Sequence, residues 1–333
     1  MKAQDSLWNK IYCQDCRKMT QLKDESVHLM VTSPPYNVTK QYDENLNLKE
    51  YLDFIEDVHE EIFRVLIPGG IVALNIANVG RKPDLPLDCY FIEILEKLHF
   101  EIIQEIIWDK AASAGGSCAW GSWQSASNPS LRDVHEYIII ARKPDLNRKV
   151  IQISKYQIKK FPEKIDDKKF EFNEEELFTD LWTFGTESAR RVNHPAPFRV
   201  ELPYRIIQMF SEENDIILDP FMGSGSTALA AIIAKRRFIG YEIKQQYIDH
   251  CERRIDEFYH PEKKKERIKM ERKEKKRIKE ELKMKQVKSG SNKIEPLSLP
   301  KSSKKTISEK EEILTLDPKK KRKIQNNLLS YIK

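Results

Sequence analysis

The chain has 333 residues, with 58 Lys/Arg against 52 Asp/Glu and a formal charge of +6. That length holds one sizeable domain plus an insertion, and no stretch is long and apolar enough to span a bilayer. No secretory signal begins the sequence. Its five cysteines are an odd number with a single Cys13-x-x-Cys16 pair, which argues against a disulfide framework or a structural zinc. The expectation is a cytoplasmic protein with reduced thiols.

Taken in chain order, Lys10–Cys13 reads as a short strand leading to Asp15. Val27–Thr32 reads as a buried strand that runs into Ser33-Pro34-Pro35-Tyr36. Two consecutive prolines fix φ and remove two backbone donors, and they push Ser33 into an extended conformation. The result is a stiff strand end with free carbonyls, a hydroxyl and an aromatic face. Such an end suits a flat base with an exocyclic amine, with Tyr36 stacking and Ser33 Oγ and the Pro34 carbonyl accepting from the amine. Enzymes that modify a base within a duplex must extrude and grip it in this way.

Residues 48–66 keep a helical apolar stripe through Tyr51, Ile55, Val58 and Ile62. Strands follow at 71–76, 101–108 and 134–141; the last two lack a clear helix between them, so one is expected to be antiparallel. The intervening run holds Trp120 and Trp123, candidates to wall a base pocket. Residues 198–210, 226–235 and 246–258 read as helices. Residues 215–219 form a strand that passes into Pro220-Phe221-Met222-Gly223-Ser224-Gly225 and then a helix. Gly223 and Gly225 allow a tight turn and close backbone approach to a ligand. Arg237–Glu242 is a strand ending in an acidic residue at the spacing where a ribose diol is gripped.

This glycine loop formally satisfies the dinucleotide fingerprint G-x-G-x-x-A. Yet Asp219 and Phe221 place a carboxylate and an aromatic beside the ligand. A carboxylate repels pyrophosphate and suits an ammonium or sulfonium cation. The Gly-Lys-Ser/Thr of a P-loop is absent, and no Pro-Cys pair offers a nucleophile for attack at carbon 5 of cytosine. Strands alternating with helices imply a mostly parallel sheet covered on both faces.

Together these motifs resemble the amino-group DNA methyltransferases that use S-adenosylmethionine, in the permuted order in which the Ser/Asp/Asn-Pro-Pro-Tyr motif precedes Asp-Pro-Phe-x-Gly-x-Gly. The resemblance covers roughly residues 8–258. It implies an α/β fold with a seven-stranded, mostly parallel Rossmann-like sheet and one antiparallel strand. It further implies that Asp219, Phe221, Gly223 and Gly225 form the loop around the methionine part of the cofactor. Glu242 would receive the ribose hydroxyls and Asp15 would sit near the adenine ring. His194, in His194-Pro195-Ala196-Pro197-Phe198, would belong to the segment that closes over the cofactor. Ser33, Pro34, Pro35 and Tyr36 would form the catalytic corner. Serine at the first motif position is typical of cytosine-N4 enzymes and Asp or Asn of adenine-N6 enzymes, so cytosine is the expected base and adenine the alternative. The implied partners are double-stranded DNA, a cognate restriction endonuclease acting on the same site, and a second copy in a homodimer.

The expected organisation is a catalytic half at 1–143, a target-recognition insertion at 144–190 with a helical patch at 173–181, a cofactor half at 191–260 and a basic tail at 261–333. The tail holds 25 Lys/Arg against 11 Asp/Glu, whereas residues 1–260 hold 33 against 41. The basicity therefore lies in the tail, which reads as a charged, solvated helix over 262–288 followed by a flexible stretch. Its run Pro318-Lys319-Lys320-Lys321-Arg322-Lys323 is read as a backbone-binding patch that weakens with salt rather than as a nuclear address.

Overall fold

The computed structural model describes residues 7–36, 46–78, 85–110, 134–145, 164–165, 168–169, 177–187 and 198–288. The chain divides into two compact units, residues 1–266 and 267–333. Among the described residues the first holds ten strands: β1 (Lys10–Cys13), β2 (Val27–Thr32), β3 (Leu66–Ile76), β4 (Glu101–Asp109), β5 (His135–Arg142), β6 (Lys164–Ile165), β7 (Lys168–Lys169), β8 (Leu181–Thr183), β9 (Ile216–Asp219) and β10 (Arg237–Glu242). Eight of them form one sheet in the order β1-β10-β9-β2-β3-β5-β4-β8, and β6 and β7 form a separate short hairpin.

In the large sheet β5 runs antiparallel to β3 and β4, and every other pairing is parallel. The seven expected strands and the single reversed one are all present. The eighth, β8, was not among the expected strands. Of the helical patch expected at 173–181, residues 173–176 lie outside the described residues and Leu177 is helical, while Leu181 opens a strand that pairs Ile107 with Leu181 and Trp108 with Trp182. Trp182 is fully buried there, and burial of so large an aromatic outweighs local propensity.

The sheet is covered on both faces. Helices α1 (Leu48–Val65) and α2 (Leu87–Lys97) pack on one side. Helices α3 (Glu201–Phe210), α4 (Ser226–Ile233) and α5 (Gln245–Tyr259) pack on the other. α2 was not among the expected elements, although Leu87, Phe91, Ile94 and Leu95 keep a helical stripe and are buried.

α1 begins with a capping box. Asn47 Oδ1 accepts from the Glu50 amide, and Glu50 Oε2 accepts from the Asn47 amide, both at 3.0 Å. Two orphan donors are satisfied reciprocally, and the helix then buries Tyr51, Ile55, Val58, His59, Ile62 and Val65. Each buried aliphatic side chain contributes about 1.5–3 kcal/mol relative to exposure. α6 (Pro261–Lys288) has no such stripe. Among the described residues no helix is long and apolar enough to cross a membrane.

His59 lies wholly inside the α1–α2 layer, edge-on to Phe91, with Nδ1 2.8 Å from the Ile55 carbonyl. Burial disfavours its cation and lowers its pKa from 6.5 to about 4. Between those values the unfolded chain binds a proton that the native state refuses, so stability falls as pH falls through that window, by up to about 1.4 kcal/mol per pH unit. Asp219 has the opposite sign, because its raised pKa favours the native state as pH falls. The comparison must therefore be between variant and wild type. His59→Leu should flatten the acid-side loss between pH 6.5 and 4.5 in urea unfolding midpoints. Parallel pH profiles for the two proteins would show that His59 does not titrate as its burial implies.

Candidate active site

The carboxyl ends of the parallel strands meet at one edge of the sheet, where ligands gather in open α/β folds. β2 pairs with β9 through Leu29–Ile217 and Met30–Leu218. This register brings Thr32 beside Asp219, and Thr32 Oγ1 donates to Asp219 Oδ1 at 2.6 Å. The same oxygen accepts the Phe221 amide at 3.0 Å. Asp219 is 1% exposed, and burial pushes its pKa up to about 6 against the pull of these hydrogen bonds.

A cavity of about 600 Å³ opens beside this junction, within the range of small-molecule sites. Ser33, Pro34, Pro35, Tyr36, Asp15, Phe221, Gly223 and Glu242 all line it. Asp219 and Gly225 are not among the lining residues. Asp219 instead ties the loop to β2 from beneath. Gly225 adopts φ +79°, and a Cβ there would overlap the Cys251 sulfur of α5. His194 lies outside the described residues, as do Trp120 and Trp123.

At the far end of the cavity from the Pro-Pro corner, Glu242 accepts the Gly223 amide at 3.0 Å and the Lys244 amide at 2.9 Å. Burial raises its pKa while these amides oppose the shift. Asp15 is engaged by Arg17, whose Nη2 lies 2.6 Å from Oδ2 and whose backbone amide lies 2.9 Å from Oδ1. The Arg17 guanidinium holds the Asp15 carboxyl below its ordinary range. Arg17 also lies over the Phe54 ring at 5.5 Å, and Phe54 meets Phe221 at 6.1 Å.

The Pro-Pro corner is supported by groups that motif reading missed. Tyr51 of α1 donates to the Pro35 carbonyl at 2.8 Å. Ser33 Oγ and Tyr36 Oη lie 3.0 Å apart. Tyr36 Oη is also 3.4 Å from both the Asn75 carbonyl and Glu136 Oε2. Asn75 Nδ2 donates to Glu136 Oε2 at 2.7 Å, and Lys110 Nζ pairs with Glu136 Oε1 at 2.6 Å.

Strand reversal explains Glu136. Because β5 is antiparallel, its first residues sit at the carboxyl end of its neighbours, opposite Trp108 on β4. A signal was present in the sequence: an acidic residue opening an otherwise apolar strand that one of two readings made antiparallel.

Among the described residues the cavity lining carries six carboxylates, from Asp15, Glu50, Asp53, Asp57, Glu136 and Glu242, against the cations of Arg17 and Lys244. That imbalance repels a pyrophosphate and favours a cationic ligand. The Gly223 amide, which a dinucleotide phosphate would need, is already donated to Glu242. The donor set and volume therefore fit an adenosyl sulfonium cofactor and not a nicotinamide dinucleotide.

A reversed strand in a doubly wound sheet, a Pro-Pro corner on one central strand and an acidic adenosyl cleft on its neighbour define a methyltransferase of the Rossmann-like class. Residues 27–253 match the family model of DNA methylases that spans N6 and N4 transfer. The chain belongs to this DNA methylase family. It is 31% identical over 286 residues to the type II methyltransferase M.MthZI of Methanothermobacter thermautotrophicus, covering 75% of this chain and 77% of that one. It is 28% identical over 252 residues to the DNA adenine methyltransferase YhdJ of Escherichia coli K12, covering 72% and 79%. Among solved structures, TTHA0409 of Thermus thermophilus, in complex with S-adenosyl-L-methionine, superposes with a TM-score of 0.55 at 28% identity, covering 74% of this chain and 92% of that one.

Gly225→Ala tests the loop. A non-glycine residue in the left-handed region costs roughly 1–2 kcal/mol, and overlap with Cys251 adds about 1–3 kcal/mol. The variant should show a lower unfolding midpoint, and pairing it with Cys251→Ala should recover part of the loss. Equal midpoints for Gly225→Ala and wild type would show that α5 does not pack as tightly as the structure places it.

Proposed function

We propose that this chain is a site-specific methyltransferase acting on the exocyclic N4 amine of cytosine in duplex DNA, the modification half of a cytoplasmic restriction-modification pair. S-adenosylmethionine is the methyl donor. The observation that carries the choice of base is Ser33 at the head of the Pro-Pro corner, the residue typical of cytosine-N4 enzymes. Adenine-N6 transfer is the second reading, favoured by the similarity to the E. coli adenine enzyme.

When bound, the donor supplies an electrophilic methyl on a cationic sulfur. The chain's own residues must supply a nucleophile in line with it. The amine of an extruded base is a weak nucleophile because its lone pair is delocalised into the ring. Hydrogen bonds from that amine to Ser33 Oγ and the Pro34 carbonyl favour a tetrahedral nitrogen with an available lone pair. The stiff corner, held by Tyr51 on Pro35, fixes this geometry before the base arrives, and positioning of this kind supplies much of the rate. Tyr36 stacks on the extruded base.

The amine must also lose a proton. A route runs from Ser33 Oγ to Tyr36 Oη and on to Glu136. As the amine gives its proton to Ser33, Ser33 passes its own to Tyr36 and Tyr36 passes its own to the Glu136 carboxylate. The charge balances, since the positive charge of the sulfonium disappears as the carboxylate is neutralised.

The deciding measurement is transfer of labelled methyl from S-adenosylmethionine to mixed-sequence duplex DNA, followed by nucleoside mass analysis. N4-methylcytosine is the expected product, and N6-methyladenine would overturn the choice of base. Ser33→Ala should lower turnover roughly ten-fold while sparing cofactor affinity, the worth of one hydrogen bond strengthened in the transition state. Unchanged turnover would show that Ser33 does not hold the amine. Glu136→Gln should cost about 10²-fold in single-turnover rate, with cofactor and DNA dissociation constants within error of wild type. A wild-type rate would remove Glu136 from the proton's path.

A further inference from the structure

Helix α6 has no apolar face, yet its charges are sorted. Lys265, Lys269, Arg272, Lys276, Lys279 and Lys283 recur at i, i+4, i+7, i+11, i+14 and i+18. That spacing keeps them on one side of a helix, and none of the six glutamates between 261 and 288 falls on the row. Off the row, Arg267 pairs with Glu271 and Arg277 with Glu274, each at 2.7 Å, whereas among the described residues no ion pair engages Lys273 or Lys275. On the row, Lys276 approaches Glu280 at 3.9 Å. Among the described residues no ion pair engages Lys269, Arg272 or Lys279. All four of these row cations are exposed.

We propose that this row is a phosphate-tracking surface that docks along the backbone of duplex DNA outside the target site. Other occupants of a helix face fail on chemistry. A second copy packing as a coiled coil needs apolar residues at the i, i+4, i+7 positions, and here those positions are basic. A membrane surface needs an apolar face opposite the basic one, and Ile268, Met270 and Ile278 do not share one. At 1.5 Å per residue the row extends about 27 Å. Duplex DNA carries a negative charge about every 1.7 Å of its axis, so a track of that length presents more phosphates than the row has cations. Binding is then independent of sequence and sensitive to salt, and it holds the enzyme on DNA while the first unit selects its base.

The test compares two variants of the full chain with equal loss of charge. R272Q/K276Q/K279Q removes three row cations, and R267Q/K273Q/R277Q removes three from other faces. Glutamine keeps helix propensity close to that of Lys and Arg, and far-ultraviolet circular dichroism checks that α6 survives in both. Fluorescence anisotropy on a duplex longer than the row gives the affinity as a function of KCl concentration.

The row variant should flatten the logarithmic salt slope by about 2–3 units, at roughly 0.9 per phosphate contact, and the off-row variant by less than about 1. K276R/K279R should keep the wild-type slope. Methyl transfer by the row variant at saturating DNA should match wild type while its KM for DNA rises. Equal flattening by both triple variants would mean that the tail acts only as diffuse charge, and an unchanged slope in the row variant would mean that α6 does not touch DNA; either result overturns the proposal.

Discussion

The 2.6 Å hydrogen bond from Thr32 to Asp219 joins the two halves of the chemistry. Thr32 ends the strand that leads into the Pro-Pro corner, and Asp219 ends the strand that leads into the glycine loop. Both are about 1% exposed, so the bond operates where competition from water is weakest and where an unpaired partner would be costly. It fixes the height of one strand end against the other, and with it the distance between the Ser33 corner and the Gly223–Glu242 end of the cavity. Methyl transfer tolerates little error in that distance. A buried carboxylate at this place is better understood as a strut between two loops than as a group waiting for the ligand.

A second constraint is the direction of β5. Had it run parallel to its neighbours, its first residues would lie at the opposite edge of the sheet, and Glu136 with them. Reversal delivers a carboxylate to the catalytic edge, where Asn75 from β3 and Lys110 from just beyond β4 hold it in place. Two strands and the residue just past a third thus each contribute one side chain to a hydrogen-bonded cluster behind the Ser33–Tyr36 pair. Side chains locked by such a cluster hold one arrangement, which is the structural form of preorganisation.

Much of this was legible in the sequence, and the reasons are local. Lys10–Cys13, Val27–Thr32 and Arg237–Glu242 have the ends that their apolar runs imply, because each is bounded by turn chemistry. The glycine loop announced itself through the Asp-Pro-Phe that precedes it. The rest depended on contacts distant in sequence. Tyr51 on Pro35, Cys251 beneath Gly225 and Trp182 inside β8 follow from which elements become neighbours, and no periodicity within a single segment contains that. α2 is a different case, since its stripe of Leu87, Phe91, Ile94 and Leu95 lies within one segment and was legible there, yet no helix was expected at that place.

The division of charge along the chain follows from the same chemistry. A cavity that binds a sulfonium profits from carboxylates, and this one carries six of them. Those carboxylates repel the phosphates of the DNA that must come close enough to insert a base. The excess of acid over base in residues 1–260 and the reverse excess in residues 261–333 separate the two demands in sequence. Coulombic repulsion between exposed charges fades beyond about 10 Å in ordinary salt, so cations need not sit in the cavity to bring DNA to the enzyme. They need only meet the backbone at a site where the acidic cleft is screened. A helix with one unbroken row of cations and its glutamates kept off that row is suited to this, because among its described residues only Lys276 of the row approaches a glutamate.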